Sequence, residues 1–140
     1  MSEIFLGDWA KLLTQPDEKL PELLEARGIA FALRKEFAPA VQAATKLREL
    51  ENSTPGQLYN AACLFAMSAA SVVPDKGQLG LPKEQAKQRQ QWIDEAMATL
   101  KQSINAGYDD FDHMRNDKDL MILRELAEFK LLGNATTADE

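Results

Sequence analysis

Two stretches decide how this chain is read: Pro21-Glu22-Leu23-Leu24-Glu25-Ala26-Arg27-Gly28-Ile29-Ala30-Phe31 and Pro55-Gly56-Gln57-Leu58-Tyr59-Asn60-Ala61-Ala62-Cys63-Leu64-Phe65. They carry one pattern displaced by 34 residues, the distance from Pro21 to Pro55. Leu24 answers Leu58, Gly28 answers Ala62, and Phe31 answers Phe65. An opener, a large apolar residue, a small residue and an aromatic thus recur in order, which marks an internal repeat. Glycine inside a helix costs about 1 kcal/mol against alanine, so Gly28 is expected where a neighbouring helix comes too close for a side chain.

Each copy continues into a partner helix. In the first copy Leu23, Leu24, Ala26, Ala30, Phe31 and Leu33 recur at helical spacing, and Pro21 suits a first turn. Lys35 and Glu36 form a short connector, and residues 38–51 place Val41, Ala44, Leu47 and Leu50 on one stripe. Ser53 or Thr54 is expected to cap the next helix, with Pro55 in its first turn. That helix, about residues 55–73, is apolar almost all round and should be buried between neighbours. The second copy then takes an insertion at about 74–91, rich in Pro and Gly at its start. A long helix opened by Pro82 is polar over residues 83–91 and apolar at Trp92, Ile93, Ala96, Met97, Leu100 and Ile104, with Gly107 as its left-handed cap. No stretch alternates in the manner of a strand.

The domain organisation expected is a single unit: a capping helix at 1–16, a first repeat at 21–54, a second at 55–107, capping helices at 108–133 and a frayed tail at 134–140. Phe5, Trp9, Leu12 and Leu13 share a face in the N-terminal cap. Asp110 and Asp117 are placed to cap short helices carrying Phe111, Met114, Leu120 and Leu123. Leu126, Phe129 and Leu132 make a last amphipathic helix, closed by Gly133.

Composition narrows the function classes. The chain has 140 residues, 45% of them apolar and 27% charged, as in an ordinary globular domain. A net charge of −6 argues against a phosphate-binding surface, hence against nucleic acid, and against a basic membrane helix. One cysteine, Cys63, rules out an internal disulfide or a Cys-rich zinc site. The first residues lack the layout of a signal peptide, which points to a cytoplasmic location. Asp109, Asp110, Asp112, Asp117 and Asp119 do not have the ligand spacing of a calcium loop, so helix capping is their expected work. A Cys63–His113 nucleophile–base pair has no supporting motif. No catalytic residue, cofactor or metal is expected.

The pattern Leu24-x3-Gly28-x2-Phe31 with Phe37-x2-Ala40 resembles the tetratricopeptide repeat, whose period is also about 34 residues. Tyr59-Asn60-Ala61-Ala62-Cys63-Leu64-Phe65-Ala66 sharpens the likeness, as do Ala106-Gly107-Tyr108, His113-Met114, Asp117-x-Asp119-Leu120, Leu123-Arg124 and Phe129. Together they look like the helical tail C-terminal to the catalytic domain of some large bacterial serine/threonine kinases. Arg27 and Lys35 stand where the repeat usually has Leu and Gly. The resemblance implies an all-α, right-handed stack of antiparallel helix pairs between N- and C-terminal capping helices. It further implies a protein-interaction or scaffolding module without catalysis, with a protein or peptide partner. Alternatives are a regulatory or oligomerisation domain, with a homodimer as one form, and a small hydrolase using Cys63 and His113. By the same resemblance the peptide groove would be lined by Glu25 and Ile29 from the first copy and by Tyr59, Asn60, Cys63 and Met67 from the second. Asn60 is its expected polar contact.

Overall fold

The computed structural model describes residues 7–138. Phe5 and the last two residues of the expected tail lie outside that range. Among the described residues, seven α-helices and one 3-10 helix make up the regular structure: α1 (Trp9–Leu12), α2 (Leu20–Leu33), α3 (Phe37–Glu49), α4 (Pro55–Ala70), α5 (Lys83–Asn105), α6 (Phe111–Asn116), the 3-10 helix η1 (Lys118–Leu123) and α7 (Ala127–Ala138). Among the described residues there is no strand. The last helix runs on through Gly133, which therefore does not end it as the sequence suggested.

Helix α4 is the centre of the molecule, packed against α2, α3, α5 and η1. This is the burial its all-round apolarity requires: Leu58, Ala61, Ala62, Leu64, Phe65, Ala66 and Ala69 are all in the core. Its start is fixed by a capping box, in which the Thr54 hydroxyl accepts from the Gln57 N–H and the Gln57 side chain accepts from the Thr54 N–H. Ser53 has a different task and donates to the Leu47 carbonyl at the end of α3.

Three of the four residue pairs that match at the repeat offset are buried in both copies: Leu24 with Leu58, Gly28 with Ala62, Phe31 with Phe65. At Gly28 three helices converge. A Cβ built there would lie 2.5 Å from Leu64 Cδ1 on α4, 3.5 Å from Ala43 Cβ and 3.7 Å from the Ala40 carbonyl on α3. The close approach read from the sequence is therefore present, and it leaves no room for a methyl unless Leu64 moves.

Arg27 and Lys35, the two departures from the repeat pattern, each have a local structural role. Arg27 is buried; its guanidinium donates to the Gly7 carbonyl at 2.7 Å and lies over the rings of Trp9 and Phe31. It ties the segment around α1 to α2. Lys35 has φ 63 and sits in the left-handed position just past the end of α2. There the Glu36 N–H bonds the Phe31 carbonyl and the Lys35 N–H bonds the Ala32 carbonyl, both at 2.9 Å, which is a Schellman ending with lysine in place of glycine. Gly107, at φ 122, ends α5 in the same manner: the Tyr108 N–H bonds the Ser103 carbonyl and the Gly107 N–H the Ile104 carbonyl.

Residues 71–82 connect α4 to α5 without a helix and are almost entirely exposed. The first turns of α5 are also exposed through Lys87, and its buried face begins at Ile93. The helix thus starts in solvent and docks on α4 only in its second half.

Candidate functional site

The six groove residues expected from the sequence fall into two groups. Ile29, Asn60, Cys63 and Met67 line one cleft of about 220 Å³, together with Ala32, Leu33, Leu64 and Asp119. Glu25 is beside it, because its carboxylate accepts a hydrogen bond of 2.5 Å from the Asn60 amide. Asn60 therefore spends one donor on the neighbouring helix. Tyr59 is placed differently. It is 3% exposed and faces the C-terminal segment, so it is not an open groove residue.

That segment explains the difference. The chain leaves α6 at Asp117, whose carboxylate caps η1 by accepting from the Asp119 N–H at 2.9 Å. The other oxygen of the same carboxylate, Oδ2, is a point of convergence. It accepts from the Tyr59 hydroxyl at 2.6 Å, lies 3.2 Å from His113 Nε2, and takes a weak 3.8 Å contact from Cys63 Sγ. The Asp117 side chain is only 12% exposed, so these contacts are made largely out of water. Tyr108 stacks on Tyr59 with centroids 4.3 Å apart and rings within 9° of parallel. Arg124 donates to the Asp117 carbonyl and holds the turn from behind. Leu120 and Leu123 then insert fully into the core. Asp110 likewise caps α6 through the His113 N–H.

The electrostatics of this cluster keep its acidic hydroxyl and thiol groups protonated. Burial, reinforced by the bond to Asp117, pushes the Tyr59 hydroxyl far above the ordinary tyrosine range. Burial pushes Tyr108 up to about 12. Burial and the nearby Asp117 carboxylate also push the Cys63 thiol well up, the opposite of what an activated nucleophile needs. Cys63 and His113 both reach Asp117 Oδ2, so the carboxylate is the shared partner of thiol and imidazole. Cys63, Asp117 and Asp119 are the described residues whose ligand-type atoms lie within 4.8 Å of one another. Asp117 is already engaged by Tyr59, His113 and the Asp119 N–H, which leaves that trio poorly suited to hold an ion.

A wider cleft of about 660 Å³ adjoins the first through Met67 and Asp119, which line both. Lys35 and Phe37 border it on one side, Met67, Ala70, Ser71 and Val73 on another, and Lys118, Met121 and Ile122 of η1 on the third. The two clefts make one groove. From Asn60 to Ala70 its floor is about 15 Å of α4, at 1.5 Å per residue. Its rim is apolar and exposed: Ile29 at 40%, Leu33 at 77%, with Val73 and Met121 also well exposed. Sequence reasoning missed Leu33, although it stands at the repeat offset from Met67. It also missed the wall made by η1, because nothing in the sequence says that the 3-10 helix folds onto α4.

Among the described residues no helix is long and apolar enough to cross a membrane. No protein-family model matches the chain, and neither a curated protein nor a solved structure matches it.

Proposed function

We propose that this chain is a non-catalytic protein-interaction module built as a TPR-like stack of antiparallel helix pairs, related to the helical tails of large bacterial serine/threonine kinases. It works in the cytoplasm and receives a segment of a partner protein in the groove between α2, α4 and η1. The observation that carries the reading is the rim of that groove. Large apolar side chains are normally covered, yet Ile29, Leu33, Val73 and Met121 stand exposed around one depression rather than scattered over the surface. A groove floored by one helix and walled by two others offers a partner both contact area and alternating apolar pockets.

The test is selection from a phage-displayed random dodecapeptide library on the immobilised chain. Enriched peptides should bind the wild type and lose at least tenfold in affinity on Leu33→Glu, at an unchanged melting temperature, because Leu33 is exposed and its loss costs the fold little. Peptides that bind equally well after Leu33→Glu would place recognition elsewhere. If light scattering instead shows a dimer that Leu33→Glu dissociates, the groove's partner is a second copy.

A further inference from the structure

Where the two clefts meet, the exposed carboxylate of Asp119 borders aliphatic side chains, and no Lys or Arg lines the narrower cleft. Asp119 lines it alongside Ile29, Ala32, Leu33, Leu64 and Met67. Among the described residues no ion pair within 4 Å reaches the Asp119 carboxylate, although Lys35 and Lys118 line the adjoining cleft. A like charge is close by, since Asp117 carries a carboxylate within 4.8 Å. Loss of water in the cleft and that like charge both raise the Asp119 pKa, with His113 opposing them. Glu25 adds a second carboxylate at the Asn60 end. The charged side chains at this narrow end are thus acidic and its walls are aliphatic, in a chain whose net charge is already −6.

Building on the interaction-module reading, we propose that this cleft takes a Lys or Arg side chain of the partner polypeptide, its methylene stem along Ile29, Leu33 and Met67 and its cationic head on Asp119. Long basic side chains are the residues that present an aliphatic stem and a charged tip together. The cation would relieve the crowding of Asp117 and Asp119, and the acidic surface would draw a basic segment in. Lys35 and Lys118 at the wide end then favour an acidic residue further along the same segment, which fixes its direction in the groove.

The dodecapeptide library, panned in parallel on the wild type and on Asp119→Asn, tests this. Wild-type selection should enrich one Lys or Arg position beside large apolar residues, and selection on Asp119→Asn should not. A selected arginine peptide, fluorescein-labelled and read by anisotropy, should bind the wild type about fivefold tighter than its citrulline twin. On Asp119→Asn the two should bind alike, and the wild-type preference should shrink in high salt. Peptides enriched without a basic residue, or an arginine preference that survives Asp119→Asn, overturn the basic-anchor assignment; if those peptides still need Leu33, the interaction module itself stands. If no peptide is enriched on the wild type, both fall.

Discussion

Ile29 and Cys63 stand at equivalent places in the two copies of the repeat, yet one is 40% exposed and the other 5%. The same holds one turn earlier. Glu25 is half-buried at the groove edge and bonded to Asn60, while its counterpart Tyr59 is sealed beneath Asp117 and stacked on Tyr108. The two helices offer the same face, but η1 lies on α4 and leaves the corresponding face of α2 open. What differs is therefore the neighbour each helix meets rather than the pattern of the helix. The segment that covers α4 brings its own polar anchor, Asp117. The first copy keeps its face for other contacts.

The comparison breaks most severely at Gly28, where the copies touch. Gly28→Leu should destabilise the protein by about 3 kcal/mol in urea titration, since even a Cβ would meet Leu64. Gly28→Ala should cost about 0.5–1 kcal/mol, because its gain in helix propensity is outweighed by displacing a fully packed Leu64. A tolerated leucine would mean that the copies do not pack at this point.

Thiol chemistry sharpens the contrast directly. In a Cys63→Ala background, Ile29→Cys puts a thiol on the open face at the equivalent place. It should react with an aromatic disulfide reagent at least about 100-fold faster than Cys63 does in the wild type, on grounds of both access and thiolate fraction. Equal rates would show that η1 does not cover α4 in solution.

Alkaline titration probes the covered face alone. Tyr59, Tyr108 and Cys63 all have raised pKa values when folded. Their stabilising effect is whole below the ordinary values of 9.0 for the thiol and 10.0 for tyrosine and is lost above them, because the unfolded chain then binds fewer protons. Stability should accordingly fall above about pH 9, by about 1.4 kcal/mol per pH unit for each group engaged. Tyr59→Phe should flatten the decline at pH 10–11. A profile flat to pH 11 would contradict the buried cluster.

The smallest effect belongs to the turn inside the first copy. Lys35→Gly should stabilise by about 0.5–1 kcal/mol, because the backbone there is left-handed and glycine adopts it without strain. The same exchange at an ordinary exposed lysine should destabilise slightly.

Much of the fold was legible because it rests on local rules. Pro55 with Thr54, Gly107, Asp110 and Asp117 mark helix ends whose chemistry is contained within a few residues. The repeat offset identified Gly28, Leu24 and Phe31 as packing positions, since one buried face has one spacing. Of the candidate groove only the α2 and α4 portions were legible, in that Ile29, Asn60, Cys63 and Met67 line one cleft. Tyr59 was misjudged as open because its partner, Asp117, is 58 residues away in sequence. Asp117 itself reads as a helix cap, which it is, and periodicity carries no trace of its second role. Asp119 was hidden in the same way: an acid after a cap looks like a solvated first turn until the turn is folded into a groove.

The bare connection between α4 and α5 has an evolutionary and practical corollary. Its ends are held by the extensive packing of the two helices, not by the link itself. Lengthening a flexible loop costs only about 0.6 kcal/mol per doubling. Residues 76–80, exposed and outside the groove, are thus a natural seam in the chain. A fluorescent reporter or a whole foreign domain could be spliced in there, or new termini opened by circular permutation, while the groove on the α2 side keeps its shape.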